Sequence, residues 1–452
     1  MSAITLSASF LRTPDAAAAD EHILVGVKIT PGVAGTRRPF HLALLLDTSG
    51  SMEGSRMTAL KRTLHLLIDA LENDDRLSII QYESDARSLC RARVMTGEAR
   101  AEIHAQIDGL VADGGTNLEA ALVVLREVNN DTSVDSVFLL TDGHINVGLT
   151  SGAGLHRLLS ASVTVGTPVN TLGYGSDHNS RLLRDMALRS CGTYTFADAD
   201  ELLPAIIGDI TGGLAAEVGR GASVTIPEGW TCLEVGAVAN DTKYSVGTLI
   251  ADKPQWVVLR GPVAGELAVM EPIYCSYIVN GVSYTESVIP RNADTQAVAL
   301  QRDRVRVAVV FTQVTTQMET GLYQDARAAL TALAAELDAS EAASDTFAIR
   351  LRAQVDEMLA TLETYIDAPA LRRVWGDALA PMVSRLASNT TALGNQRGFF
   401  TTGRPLDDPS AIHDNSTFSS PLQRSTTGAM TQRYVSITND PVSGETTEYD
   451  QV

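Results

Sequence analysis

The chain has 452 residues, with 35 Lys and Arg against 54 Asp and Glu, a net charge of −19. That balance excludes a nonspecific nucleic-acid binder, because phosphate contacts need basic stripes that release counterions. The composition is 44% hydrophobic and 20% charged, ordinary for a globular protein. At roughly 100–200 residues per domain it allows two to four domains, and no apolar run approaches the roughly 20 residues of a membrane span.

Met1 to Phe10 shows no basic segment followed by an apolar stretch, so no signal peptide is expected and the cytoplasm is the default location. Ile4, Leu6, Ala8 and Phe10 alternate, as do Ile23, Val25, Val27 and Ile29. Period two predicts half-buried strands. The texture then changes. Leu42–Leu46 is a short continuous apolar run, as in a strand covered on both faces. Similar runs recur at Leu77–Tyr82, Val134–Leu140 and Val163–Leu172. Helical spacing links Met57, Leu60, Leu64, Leu67, Ile68 and Leu71, and further helical patterns cover Ala99–Leu110, Leu118–Val128, Arg181–Leu188 and Glu201–Ile210. Alternating strand and helix predict an α/β, doubly wound, mainly parallel sheet over residues 38–215.

Gly212-Gly213 marks a boundary, and strands resume over 216–293. They are expected at Val224/Ile226, Leu233/Val235, Tyr244/Val246, Trp256–Leu259 and Tyr274/Ser276/Ile278, with Asn280-Gly281 as a tight hairpin turn. The alternation of residues 1–37 matches this module, and the two are expected to form one β-sandwich into which the α/β domain is inserted. Residues 294–388 read as helical, with stripes at Leu322–Leu337 and Phe347–Ile366. Val305, Val307, Val309 and Phe311 alternate like a strand, but no Gly or Pro interrupts the segment, and helix is the expectation. Residues 389–452 form a Ser/Thr-rich tail without periodicity. Cys90, Cys191, Cys232 and Cys275 lie far apart, forming neither a disulfide framework nor a zinc site, and are expected to pack. The three Trp residues, Trp230, Trp256 and Trp375, are expected to do the same.

The chemistry is concentrated where the first buried strand ends, in Asp47-Thr48-Ser49-Gly50-Ser51-Met52. Asp47, Ser49 and Ser51 supply hard oxygens at alternate positions, at the edge of a parallel sheet where ligands bind. Gly114-Gly115-Thr116-Asn117 precedes a helix, and Leu140-Thr141-Asp142-Gly143 ends a buried strand. They add the Thr116 hydroxyl and the Asp142 carboxylate. Such a set, without His or Cys, suits Mg²⁺, or Mn²⁺ or Ca²⁺, over zinc or copper. The competing reading is that Ser49, Ser51 and Thr116 are helix caps, which leaves Asp142 unexplained. Glu53, Asp113 and His144 lie nearby and read as surface loop residues. Gly173-Tyr174-Gly175-Ser176 lacks the remaining residues of a phosphate loop or nucleophile elbow.

In these five residues the chain resembles a von Willebrand factor A domain, whose metal-ion-dependent adhesion site is a D-x-S-x-S stretch with a distant Thr and Asp. The resemblance covers about 38–215. It implies that Ser49, Ser51 and Thr116 are hydroxyl ligands, with Asp47 and Asp142 bound directly or through water. It implies a non-enzymatic protein-binding module, whose ion completes its shell with an Asp or Glu of a protein partner. An Mg²⁺-dependent hydrolase or phosphoryl-transfer enzyme, or a scaffold with a vestigial site, are the alternatives. The domain order, with Gln423-Arg424-Ser425-Thr426-Thr427 in the tail, is also similar to A-domain proteins with a Vint-like C-terminal region, including plant RING-type ubiquitin ligases. The four cysteines do not supply a RING.

Overall fold

The computed structural model describes residues 4–13, 22–32, 37–142, 144–174, 178–197, 203–237, 241–262, 271–367 and 376–395. Strands β1 (Ile4–Thr13) and β2 (His22–Pro31) pair antiparallel over their full length. The chain then enters β3 (His41–Asp47), the 3₁₀ turn Gly50–Met52 and helix α1 (Ser55–Ala70). There follow β4 (Arg76–Tyr82), β5 (Ala86–Val94), α2 (Gly97–Asp108), α3 (Leu118–Asp131) and β6 (Ser136–Thr141). The domain closes with α4 (Gly152–Ser162), β7 (Val169–Tyr174), α5 (Ser180–Arg189), β8 (Tyr194–Ala197) and α6 (Leu203–Ala215).

These six strands form one sheet in the order β5-β4-β3-β6-β7-β8, parallel except for the β4–β5 pair. The apolar run of β3 follows from burial on both faces. Leu42, Leu44 and Leu46 pack with Leu60 and Leu64 of α1, Ile103 of α2 and Ile206 of α6. Ala43 and Leu45 face the opposite layer, with Leu122 of α3, Leu155 of α4 and Leu183 of α5. The expected doubly wound sheet is present.

The sandwich is completed by β9 (Glu217–Thr225), β10 (Thr231–Cys232), β11 (Lys243–Ile250), β12 (Gln255–Pro262), β13 (Ile273–Val279) and β14 (Val282–Val288). One sheet has the order β1-β2-β12-β10 and the other β11-β9-β13-β14. Val25 and Val27 of β2 pack in one core with Ala222, Val224, Val257 and Cys275. The N-terminal strands thus belong to the sandwich, and the α/β domain is inserted between its strands. Asn280 and Gly281 have φ of 51° and 78°, and the register runs Val279↔Val282 across them, the expected two-residue hairpin turn.

Helices α7 (Thr295–Glu319), α8 (Tyr323–Asp338), α9 (Thr346–Asp367) and α10 (Gly376–Asn395) pack around Phe311, Leu330, Leu351 and Leu386. The alternating stretch 305–311 is helical, as expected. It misleads because α7 is buried on most sides: Val305, Val307, Val310 and Phe311 are buried, whereas Val309 is 41% exposed. Arg304 of α7 is fully buried, pairing with Glu234 at 2.6 Å and donating to the Leu393 carbonyl of α10 at 2.6 Å. That side chain ties sandwich, α7 and α10 together.

Several elements depart from the sequence reading. Leu233/Val235 is not a strand; β10 ends at Cys232 and Val235 lies in a turn. The run Val163–Leu172 becomes strand only at Val169, after a loop in which Gly166 has φ of 90°. Strand β5, α4 and β8 carry no apolar run or stripe long enough to have been anticipated; α10, most of it inside the expected helical region, runs on to Asn395, past the expected start of the tail at 389. Cys191, Cys232 and Cys275 are buried and Cys90 half-buried, none of them in a disulfide, and burial pushes the thiols of Cys90, Cys232 and Cys275 up to about 12. They pack, as do the half-buried Trp230 and Trp256. Trp375 and residues 396–452, most of the expected tail, lie outside the described residues.

Candidate metal centre at the sheet edge

All five oxygen-bearing residues lie at the C-terminal edge of the parallel strands or in the loops beside it. Asp47 ends β3, the Ser49 and Ser51 turn follows it, and Asp142 follows β6. Four of them form a continuous chain of contacts. Ser49 N donates to Asp47 Oδ1 at 2.9 Å, and the Ser49 and Ser51 hydroxyls are 3.1 Å apart. Ser51 Oγ donates to Asp142 Oδ1 at 2.7 Å. Asp47, Ser49, Thr116 and Asp142 are buried, and Ser51 is exposed at the rim.

Thr116 is brought in by backbone clips between the two loops. Gly50 N donates to the Gly114 carbonyl at 3.1 Å, and Asp113 N to the Thr48 carbonyl at 2.9 Å. Glycine is required at 114: φ is 70°, and a Cβ would lie 1.9 Å from Glu83 Oε2. Thr116 N donates to Asn146 Oδ1 at 2.8 Å.

The cap reading fails on geometry. The N-cap of α1 is Gly54 and that of α3 is Asn117, whose side chain accepts from Ala120 N. Ser49 caps the 3₁₀ turn without a side-chain bond. The three hydroxyls are therefore free of the capping role that would explain them without a ligand.

Two buried carboxylates here carry a cost. Burial raises the Asp47 carboxyl from 3.8 to about 6; hydrogen bonds from Thr141 and Ser49 hold it down, and the neighbouring Asp142 adds to the rise. Thr141 Oγ1 donates to Asp47 Oδ2 at 2.5 Å. Such a site favours a cation. One is present: Arg56, in the first turn of α1, donates from Nη1 to Asp142 Oδ2 at 2.6 Å and to the Ser51 carbonyl at 3.3 Å. Its guanidinium also lies 5.9 Å from the centre of the Tyr174 ring. Arg56, Thr141 and Asn146 carry no signal in the sequence, because each acts by contact with one of the five oxygen-bearing residues (Asp142, Asp47 and Thr116 respectively) rather than at motif spacing. The donor set, all hard oxygens with two buried carboxylates, fits a divalent ion such as Mg²⁺.

The remaining candidates are peripheral. Glu53, Asp113 and His144 are exposed, and Asp113 Oδ1 accepts from Gly114 N, a turn contact. Gly173 and Tyr174 end β7, and residues 175–177 lie outside the described residues. No described helix is long and apolar enough to cross a membrane.

Comparison with known proteins agrees with this fold. The family model of the von Willebrand factor type A domain matches residues 41–208. A Synechocystis protein of uncharacterised function, sll0103, is 32% identical over 192 residues, which is 42% of this chain and 42% of that protein. The E3 ubiquitin-protein ligase WAV3 of Arabidopsis thaliana is 33% identical over 112 residues, 24% of this chain and 15% of the ligase. The chain thus spans less than half the length of either relative. A solved von Willebrand factor type A protein from Catenulispora acidiphila superposes with a TM-score of 0.59 at 17% identity, covering 80% of this chain and 90% of that one. The shared fold therefore reaches beyond the α/β domain into the sandwich and helices. Residues 41–208 are a von Willebrand factor type A domain, carried between the strands of a β-sandwich.

Proposed function

We propose that the A domain is a metal-dependent protein-binding module. Asp47, Ser49, Ser51, Thr116 and Asp142 would hold one Mg²⁺ or Mn²⁺, directly or through water. The bound ion would supply a Lewis-acidic position for an Asp or Glu of a protein partner. The observation that carries this reading is the gathering of three uncapped hydroxyls and two buried carboxylates at one sheet edge. Hydroxyls do not neutralise a divalent ion, and two carboxylates at most balance it, so it stays receptive to an incoming carboxylate. The similarity to A domains, commonly metal-dependent interaction modules, supports the same reading. Ligase activity is not proposed, because the match to WAV3 covers only 15% of that protein.

Calorimetry tests the metal step. Wild-type protein should bind one Mg²⁺ and gain thermal stability with it by mass action, and Asp47→Ala should do neither. Equal binding by both proteins would sink the reading. Capture of a partner from the native host should need Mg²⁺, be reversed by chelation, and be lost in Ser49→Ala/Ser51→Ala. Capture that survives chelation would leave the ion without a role in binding.

A further inference from the structure

On the outer side of α1 and α2 the same spacing occurs twice: His65 and Asp69 on α1, His104 and Asp108 on α2. The pairs cross between helices. His65 Nε2 lies 2.9 Å from Asp108 Oδ1, and His104 Nε2 lies 3.1 Å from Asp69 Oδ1. The two Nδ1 atoms face each other at 2.5 Å, with ring centroids 4.8 Å apart and planes 27° from parallel. The centroids are further apart than the nitrogens by about a ring width, so the rings meet edge to edge and their nitrogens point at one another.

The chemistry of that arrangement is constrained. An ionised carboxylate only accepts, so each Nε2 carries the hydrogen that binds its Asp. A neutral imidazole then presents a bare lone pair at Nδ1. Two lone pairs aimed at each other across 2.5 Å repel, so the pair requires a cation between them, and the two carboxylates behind the rings favour one.

We propose that His65 and His104 form a second metal site, which takes Zn²⁺ or a similar imidazole-binding transition ion through the two Nδ1 atoms. A carboxylate on the far ring nitrogen is the arrangement that orients metal-binding histidines and raises their basicity. Two Zn–N bonds in a tetrahedral shell place the nitrogens about 3.3 Å apart, so the rings must part by less than about 1 Å. The side chains are 30% and 28% exposed, which leaves room for that movement and for water at the other positions. Among the described residues no group of three or more His, Cys, Asp or Glu converges on a metal, so this is an open, two-nitrogen site. Its donors are imidazoles and those of the sheet edge are oxygens, so the two sites select different ions. A metal here would fasten α1 to α2.

Full-length protein saturated with Mg²⁺ and titrated with Zn²⁺ tests the proposal. Wild type should bind one zinc beyond any taken at the sheet edge. His65→Gln and His104→Gln should each weaken that event at least tenfold while circular dichroism shows the fold intact, and Asp47→Ala should retain it. Histidine ¹H–¹⁵N spectra should show zinc moving Nδ1 and not Nε2 of both rings. Equal zinc affinity in wild type and both variants, or zinc-insensitive spectra showing a proton shared between the Nδ1 atoms, would overturn it.

Discussion

Asp142 uses one oxygen for Ser51 and the other for Arg56, so the guanidinium and a bound ion draw on the same carboxylate. Like charges this close repel, and the ion binds against Arg56. Arg56→Gln should therefore raise Mg²⁺ affinity about tenfold, or about 1.4 kcal/mol. Unchanged affinity by calorimetry would show that Arg56 swings clear at no cost. Asp47 sets the pH dependence. Its folded-state value, about 6, lies above the ordinary 3.8, so its ionisation opposes folding. That contribution favours the fold fully below pH 3.8 and is lost as pH rises through 6, at a cost on the order of 3 kcal/mol. Relative to Asp47→Asn, metal-free wild type should thus lose stability between pH 4 and 7. A constant difference in denaturation free energy across that range would contradict it. The five oxygen residues were legible in the sequence because they stand at motif spacing on recognisable strand ends. Arg56 was not, because nothing in its spacing shows that α1 starts close enough for it to reach Asp142.

At the scale of elements, the glycine turn before α3 decides whether Thr116 reaches the site. Gly114→Ala meets both the positive φ and the Glu83 carboxylate, at a backbone cost of about 1–2 kcal/mol. It should weaken Mg²⁺ binding while leaving α3 helical, because the Asn117 cap is untouched; full Mg²⁺ affinity in this variant would show that the loop clip does not position Thr116. The buried strands of the A domain were readable because helices cover both faces and most positions are apolar, with polar exceptions such as Ser78 of β4 and Asn170 of β7. Strand β5 was not. Its burial is intermittent, Arg87, Arg91 and Arg93 lie along it, and it occupies the sheet edge, where charge discourages further pairing. Helix α7 shows the converse case, since near-complete burial erased the one-sided stripe and left the strand-like alternation of 305–311.

For the whole molecule, the N-terminal strands and Arg304 carry the connections between parts. Strand β2 lies between β1 and β12, so deleting residues 1–33 removes two of the four strands of one sheet. Hydrogen exchange should then show lost protection across 217–288; a fully protected β9–β14 would mean that the module folds without them. Arg304→Ala leaves Glu234 buried and unpaired, which should cost about 3–5 kcal/mol in chemical denaturation. A loss below about 1 kcal/mol would show that water enters and solvates Glu234. Insertion of the A domain was readable from matching alternation on either side of it. The Arg304–Glu234 contact was not, since a lone Arg in a helix and a lone Glu in a turn carry no mutual signal across 70 residues. Crystals grown with Mn²⁺ test most directly whether Asp47, Ser49, Ser51, Thr116 and Asp142 hold one divalent ion at the sheet edge. One anomalous-scattering peak is expected, bounded by Ser49, Ser51 and Thr116 with Asp47 and Asp142 behind it. A map in which that position holds no peak at saturating Mn²⁺ would contradict it.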